Sequence, residues 1–199
     1  MLPGFSTVIY LHGFNSSPHS YKASFLGSFL QSHAYDCNYI VPELPVSPYD
    51  VDIVISDLIN RQLALGSVAL IGSSLGGYYA IHFAEKFGLS AALINPAVKP
   101  YELLGDYLGE NTNFHTGERY ILKKAHMSEL LALDVSVVSH PECLFLLTQT
   151  ADQTLDYREA VEKLPASPAW IEYGGSHEFT NFQKVIPSML AYLKINKSA

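Results

Sequence analysis

Apolar positions along this chain follow two alternating rhythms. Short unbroken runs, STVIYL (6–11), VALIG (68–72), AALIN (91–95) and CLFLLT (143–148), are separated by stretches where apolar residues return every three or four positions. The first rhythm predicts strands buried on both faces, the second amphipathic helices. NYIVPEL (38–44) and AWIEY (169–173) add two shorter strands, the former closed by Pro42 and Pro45. Helices are predicted where Tyr21, Phe25, Phe29 and Leu30 recur, and over roughly 50–65 with Gly66 as the stop. Others are expected from about 75 through Phe87 with Gly88 as the stop, near 156–164, and near 181–194. The alternation predicts an α/β fold, with a mostly parallel sheet of about six strands and helices on both faces.

One connection breaks the alternation. Residues 96–142 lie between AALIN and CLFLLT, far more than a short loop and one helix require. Either this insertion packs as extra helices, or it forms a cap-like lid or pocket wall. Its place at the carboxyl end of a strand, where α/β sheets bind ligands, favours the second. Tyr101, Leu104 and Tyr107 are then the side chains expected to wall a pocket. With 199 residues and no repeat or linker, the whole of 1–199 reads as a single domain.

Charge narrows the partners. A formal net charge of −7 argues against nucleic acid or an anionic membrane surface. No run approaches the roughly 20 apolar residues of a membrane span, and MLPGFSTVIY has neither a basic segment nor a signal-like apolar stretch. A cytoplasmic location is expected. Cys37 and Cys143 lie in or beside predicted strands, which suits reduced, buried thiols better than a disulfide.

The chemistry centres on LIGSSLGGYYA (70–80). Gly72-Ser73-Ser74-Leu75-Gly76 is G-x-S-x-G between a predicted buried strand and a predicted helix. In such a turn the middle serine is exposed on a strained backbone, and its neighbours two positions away must be tiny. Ser74, not Ser73, is therefore the candidate nucleophile. A serine needs a base, and His177 in YGGSHEF sits just past the last predicted strand, where two glycines let the loop bend back. His33, His82, His115, His126 and His140 have no such placement, and no spacing suggests a metal site. The orienting acid lies in TQTADQTLDYREA. Asp156 precedes a helical pattern with Glu159 three positions on, which a capping box explains. Asp152 has no such explanation and is assigned the role. The order Ser, Asp, His is that of α/β-hydrolases. Backbone N–H groups of Leu75, after the serine, and of Phe14, in YLHGFNSS (10–17), are the expected oxyanion donors. His12 reads as a brace for that loop.

The stretches YLHGFNSSP, GSSLGGYYA, NPAVKPYELL, YLGEN, TGERY and QTADQTLDYREA resemble the small bacterial YqiA-type esterases of the α/β-hydrolase superfamily, from Tyr10 to about Phe179. The resemblance implies a compact hydrolase without the usual first two strands, cytoplasmic, acting on short acyl esters or acyl-CoA thioesters. It places the serine, acid and histidine on Ser74, Asp152 and His177, and it implies no cofactor. A coenzyme A substrate calls for cations at the mouth, for which Lys99, Lys123 and Lys124 are the candidates in the insertion. The alternative is a non-catalytic binding protein on the same fold.

Overall fold

A computed structural model describes residues 5–198. β1 (Phe5–Leu11), α1 (Tyr21–Ser32), β2 (Asn38–Ile40), α2 (Pro48–Leu63), β3 (Gly66–Ser73), α3 (Leu75–Phe87) and β4 (Ser90–Ile94) form the first half. The long connection holds α4 (Pro100–Leu103), a hairpin of β5 (Gly109–Thr112) and β6 (Arg119–Leu122), and α5 (Lys124–Ala132). β7 (Leu144–Gln149), α6 (Tyr157–Lys163), β8 (Ala169–Glu172) and α7 (Ile186–Tyr192) follow. The main sheet runs β2-β1-β3-β4-β7-β8, and every neighbouring pair in it is parallel.

Period-two alternation explains why the strands read as unbroken apolar runs. Ile9 and Leu11, Leu70, Leu93 and Leu146 face one core, shared with Ile55 of α2, Phe83 of α3 and Leu130 of α5. Val8 and Tyr10, Ile71, Ile94 and Leu147 face the other, against Leu26 of α1 and Met189 of α7. Both faces are covered, so both sets are mainly apolar, and buried polar residues such as Thr148 and Gln149 fall at the end of β7.

Several element ends differ from expectation, each for a local reason. α2 begins at Pro48, where a proline lacks only an N–H that has no helical partner, and Ser47 Oγ caps it by accepting from Asp50 N–H at 3.2 Å. Gly66 is not a helix stop; it is the first rung of β3, opposite Phe5. β2 ends at Ile40, short of 44, and Pro42 just beyond has no N–H for a ladder. The last helix is divided. Phe182–Lys184 form a 3-10 turn, and α7 starts at Ile186 because Pro187 fits only its first turn. Cys143 ends a 3-10 turn before β7, and both cysteines are half-buried free thiols.

The insertion is tied down at both ends. At the hairpin tip Asn113 Nδ2 donates to Ser16 O at 2.8 Å and Phe114 N–H to Asn15 O at 3.2 Å. Tyr120 Oη donates to Asn15 Oδ1. On the helical side Tyr78 Oη donates to Leu130 O at 2.5 Å, and the Glu129 carboxylate accepts from Ser47 Oγ at 2.9 Å. These bonds hold the insertion over the carboxyl edge of β1 and β3.

Candidate active site

Ser74 sits between β3 and α3 with φ 56° and ψ −122°, a backbone conformation that L-residues adopt only at a cost. The surrounding glycines permit the sharp turn. A Cβ on Gly72 would lie 2.2 Å from Gly76 O, and one on Gly76 would lie 2.0 Å from Leu11 O. Ser74 N–H donates to Ile94 O at 3.1 Å, and Ser74 O accepts from Gly77 N–H at 2.8 Å and Ala97 N–H at 3.0 Å. Its backbone is therefore fixed from three directions.

Loops after β7 and β8 bring two partners to it. His177 Nε2 lies 3.2 Å from Ser74 Oγ, and His177 Nδ1 lies 2.8 Å from Asp152 Oδ2. An ionised carboxylate only accepts, so Nδ1 carries the proton toward Asp152 and Nε2 offers its lone pair to the serine hydroxyl. Asp152 is 2% exposed at its side chain. Its other oxygen accepts from Thr154 N–H at 2.8 Å and Leu155 N–H at 2.9 Å. Burial pushes the carboxyl up, but the bonds from His177, Leu155 and Thr154 outweigh it and hold Asp152 below its ordinary value. Asp156 faces elsewhere: its carboxylate caps α6 by accepting from Arg158 N–H at 3.0 Å and pairs with the Arg158 guanidinium, a cap made without the Glu159 side chain.

Gly13 lies against the serine, since a Cβ there would be 3.2 Å from Ser74 Cβ. This brings Phe14 beside the site. Leu75 opens α3, so its N–H has no intrahelical acceptor. His12 directs Nδ1–H to Gly13 O at 3.1 Å, while its Nε2 is buried without a hydrogen-bond partner among the described residues.

A cleft of about 610 Å³ opens above Ser74 and His177 and is lined by Leu75, Leu104 and Tyr107 among others. Tyr101 does not line it. Its ring packs half-buried against the core beneath, because α4 turns that face of the insertion inward. None of Lys99, Lys123 and Lys124 lines the cleft either. Asp106 and Glu178 do, together with Lys22, whose ammonium donates to Glu178 O at 3.2 Å and to Glu178 Oε2 at 3.3 Å.

Two amides that the sequence reading passed over hold the His177 loop. Asn95, at φ 40°, donates to Ser176 O at 3.0 Å and His177 O at 3.1 Å, and accepts from Gln149 N–H at 3.0 Å. Fully buried Gln149 accepts from Ser176 N–H and Thr180 N–H and donates to Thr180 O at 2.8 Å. Gly175 makes room for it, since a Cβ there would lie 2.0 Å from Gln149 Oε1.

A protein-family model described as "Uncharacterised protein family (UPF0227)" matches residues 7–194. Among solved structures, the chain is similar to Est1E from Butyrivibrio proteoclasticus, at 13% identity and a TM-score of 0.69, covering 96% of this chain and 87% of that one. Est1E has also been solved with ferulic acid bound. A monoacylglycerol lipase from Paleococcus ferrophilus matches at 16% and 0.68, over 95% and 96% of the two chains. Mouse alpha/beta hydrolase domain-containing protein 10 matches at 16% and 0.67, over 93% and 87%. These likenesses establish the α/β-hydrolase fold.

Proposed function

The chain belongs to the UPF0227 family, and we propose that it is a serine hydrolase of small carboxylic esters, of the YqiA esterase type. The observation that carries this reading is the linear array Asp152–His177–Ser74, with contacts of 2.8 and 3.2 Å, at the carboxyl edge of a parallel sheet. His177 Nε2 takes the serine proton as Ser74 Oγ attacks the ester carbonyl, and Asp152 stabilises the imidazolium. The N–H groups of Leu75 and Phe14 receive the developing oxyanion, where one donor is worth about 3 kcal/mol of barrier. His177 then protonates the departing alcohol. Water, deprotonated by the same histidine, releases the acid from Ser74 and restores the site.

Charge at the mouth favours a neutral ester over an acyl-CoA thioester. Asp106 and Glu178 face the cleft, and its lysine, Lys22, is already paired. A polyphosphate leaving group would meet repulsion there with no free ammonium to offset it.

A fluorophosphonate probe tests the reading. Wild-type protein should be labelled at Ser74 and should hydrolyse acetyl and butyryl esters; Ser74→Ala should lose both while its circular dichroism is unchanged. Labelling that survives in Ser74→Ala would overturn the assignment.

A further inference from the structure

A second cavity of about 230 Å³ lies behind the cleft, between the 43–48 loop, the hairpin, α3 and α5. Leu44, Val46, Tyr79, Leu122 and Leu130 give it one apolar side, and His12, Glu43, Asn113, Glu118 and His126 give it a polar side of similar extent. The cavity and the cleft share Gly13, Phe14, Asn15, Ser16, Leu75 and Leu104 as lining residues. Four of these belong to the loop after β1, so that loop is the partition between the two spaces.

Within the partition, backbone and side chain are held very differently. Asn15 O, Asn15 Oδ1 and Ser16 O all accept hydrogen bonds from the hairpin, which fixes the main chain. The Phe14 ring packs on one side against the core beneath and is flanked by two edge contacts. Its centroid is 5.5 Å from that of Tyr107, which lines the cleft, and 6.5 Å from that of Tyr120, which lines the inner cavity. Phe14 is half-buried and packs against one core, so shortening it removes some packing as well as opening the partition, and the stability of each variant is measured beside its rates.

We propose that Phe14 sets the acyl length this site accepts, by closing a latent tail pocket behind the cleft. With the ring in place an acyl chain bound at Ser74 is confined to the outer cleft. With the ring removed the chain continues past Leu75 and Leu104 and lies along the apolar side of the inner cavity. The proposal rests on the esterase reading and deepens it by naming the residue that selects short acyl groups. Each pair of methylenes gaining the cavity should raise kcat/KM roughly tenfold, from the transfer of apolar surface out of water.

The test is the ratio of kcat/KM for octanoyl and acetyl p-nitrophenyl esters. Wild type should prefer acetyl, Phe14→Ala should raise the octanoyl-to-acetyl ratio at least tenfold, and Phe14→Leu should fall between them. The double variant Phe14→Ala with Leu122→Phe, which fills the inner cavity from β6, should return the ratio toward wild type. An unchanged ratio in Phe14→Ala overturns the proposal. So does a raised ratio that the filled double variant keeps, because the gain would then come from the widened outer cleft. If wild type and variants hydrolyse no ester and take no fluorophosphonate, the esterase reading itself has failed.

Discussion

Two aspartates four residues apart on one loop make unlike contacts, and burial is what separates them. Asp152 is enclosed, accepts two loop amides and reaches His177; Asp156 is open to water and spends both oxygens on Arg158. Asp152→Asn should therefore keep the fold and lower kcat by about 10⁴, the cost known for the same change in a serine protease, because the imidazole is left in the wrong tautomer. Asp156→Asn should leave rate and stability nearly unchanged, since asparagine caps a helix as well as aspartate. Steady-state kinetics on the two asparagine variants decide the matter, and a collapse confined to Asp156→Asn would reverse the roles. This distinction was legible in the chain. The helical pattern after Asp156 explains a capping carboxylate, and nothing local explains Asp152.

At the scale of elements, the site depends on a clamp from β4 and β7 onto the loop after β8. Gln149 is the centre of that clamp. Gln149→Leu would strand the N–H groups of Ser176 and Thr180, at a cost of about 1–3 kcal/mol in all given that water reaches part of the loop. His177 would lose its fixed station, so kcat should fall more than tenfold while KM moves little. A denaturation midpoint and a kcat from the same preparation check both, and an unchanged kcat would remove Gln149 from any positioning role. Sequence reading could not reach this clamp. A strand-end glutamine or asparagine has the same local signature whether it faces solvent or anchors a loop across the sheet. The strands and α3 were legible because burial on two faces imposes an apolar run. Tyr101 and Tyr107 were not separable, because their facing depends on how α4 and the following turn lie over the core.

At the scale of the whole molecule, one buried histidine links stability to pH. Burial pushes His12 below its ordinary value of 6.5, against the opposing pull of Gly13 O and Glu43. The fold therefore favours the neutral ring. Its contribution is complete above about pH 6.5 and is lost as pH falls from there through the lowered folded value. Asp152, also depressed, acts below its own unfolded value near 3.8, so it contributes nothing to a loss between pH 7 and pH 5. The urea midpoint of wild type should fall between pH 7 and pH 5, and in His12→Gln that fall should be smaller. Parallel slopes would show that other groups govern the window.

Ser74 couples the molecule's durability to its proposed chemistry at a single position. The positive φ that lifts the hydroxyl above the sheet is a torsion in which only glycine rests without strain, and glycine has no side-chain hydroxyl. Any side chain able to attack must keep the turn under tension. Selection for a sturdier fold and selection for a reactive one thus pull this residue in opposite directions. The tight packing of Gly72, Gly76 and Gly77 beneath it resists that tension.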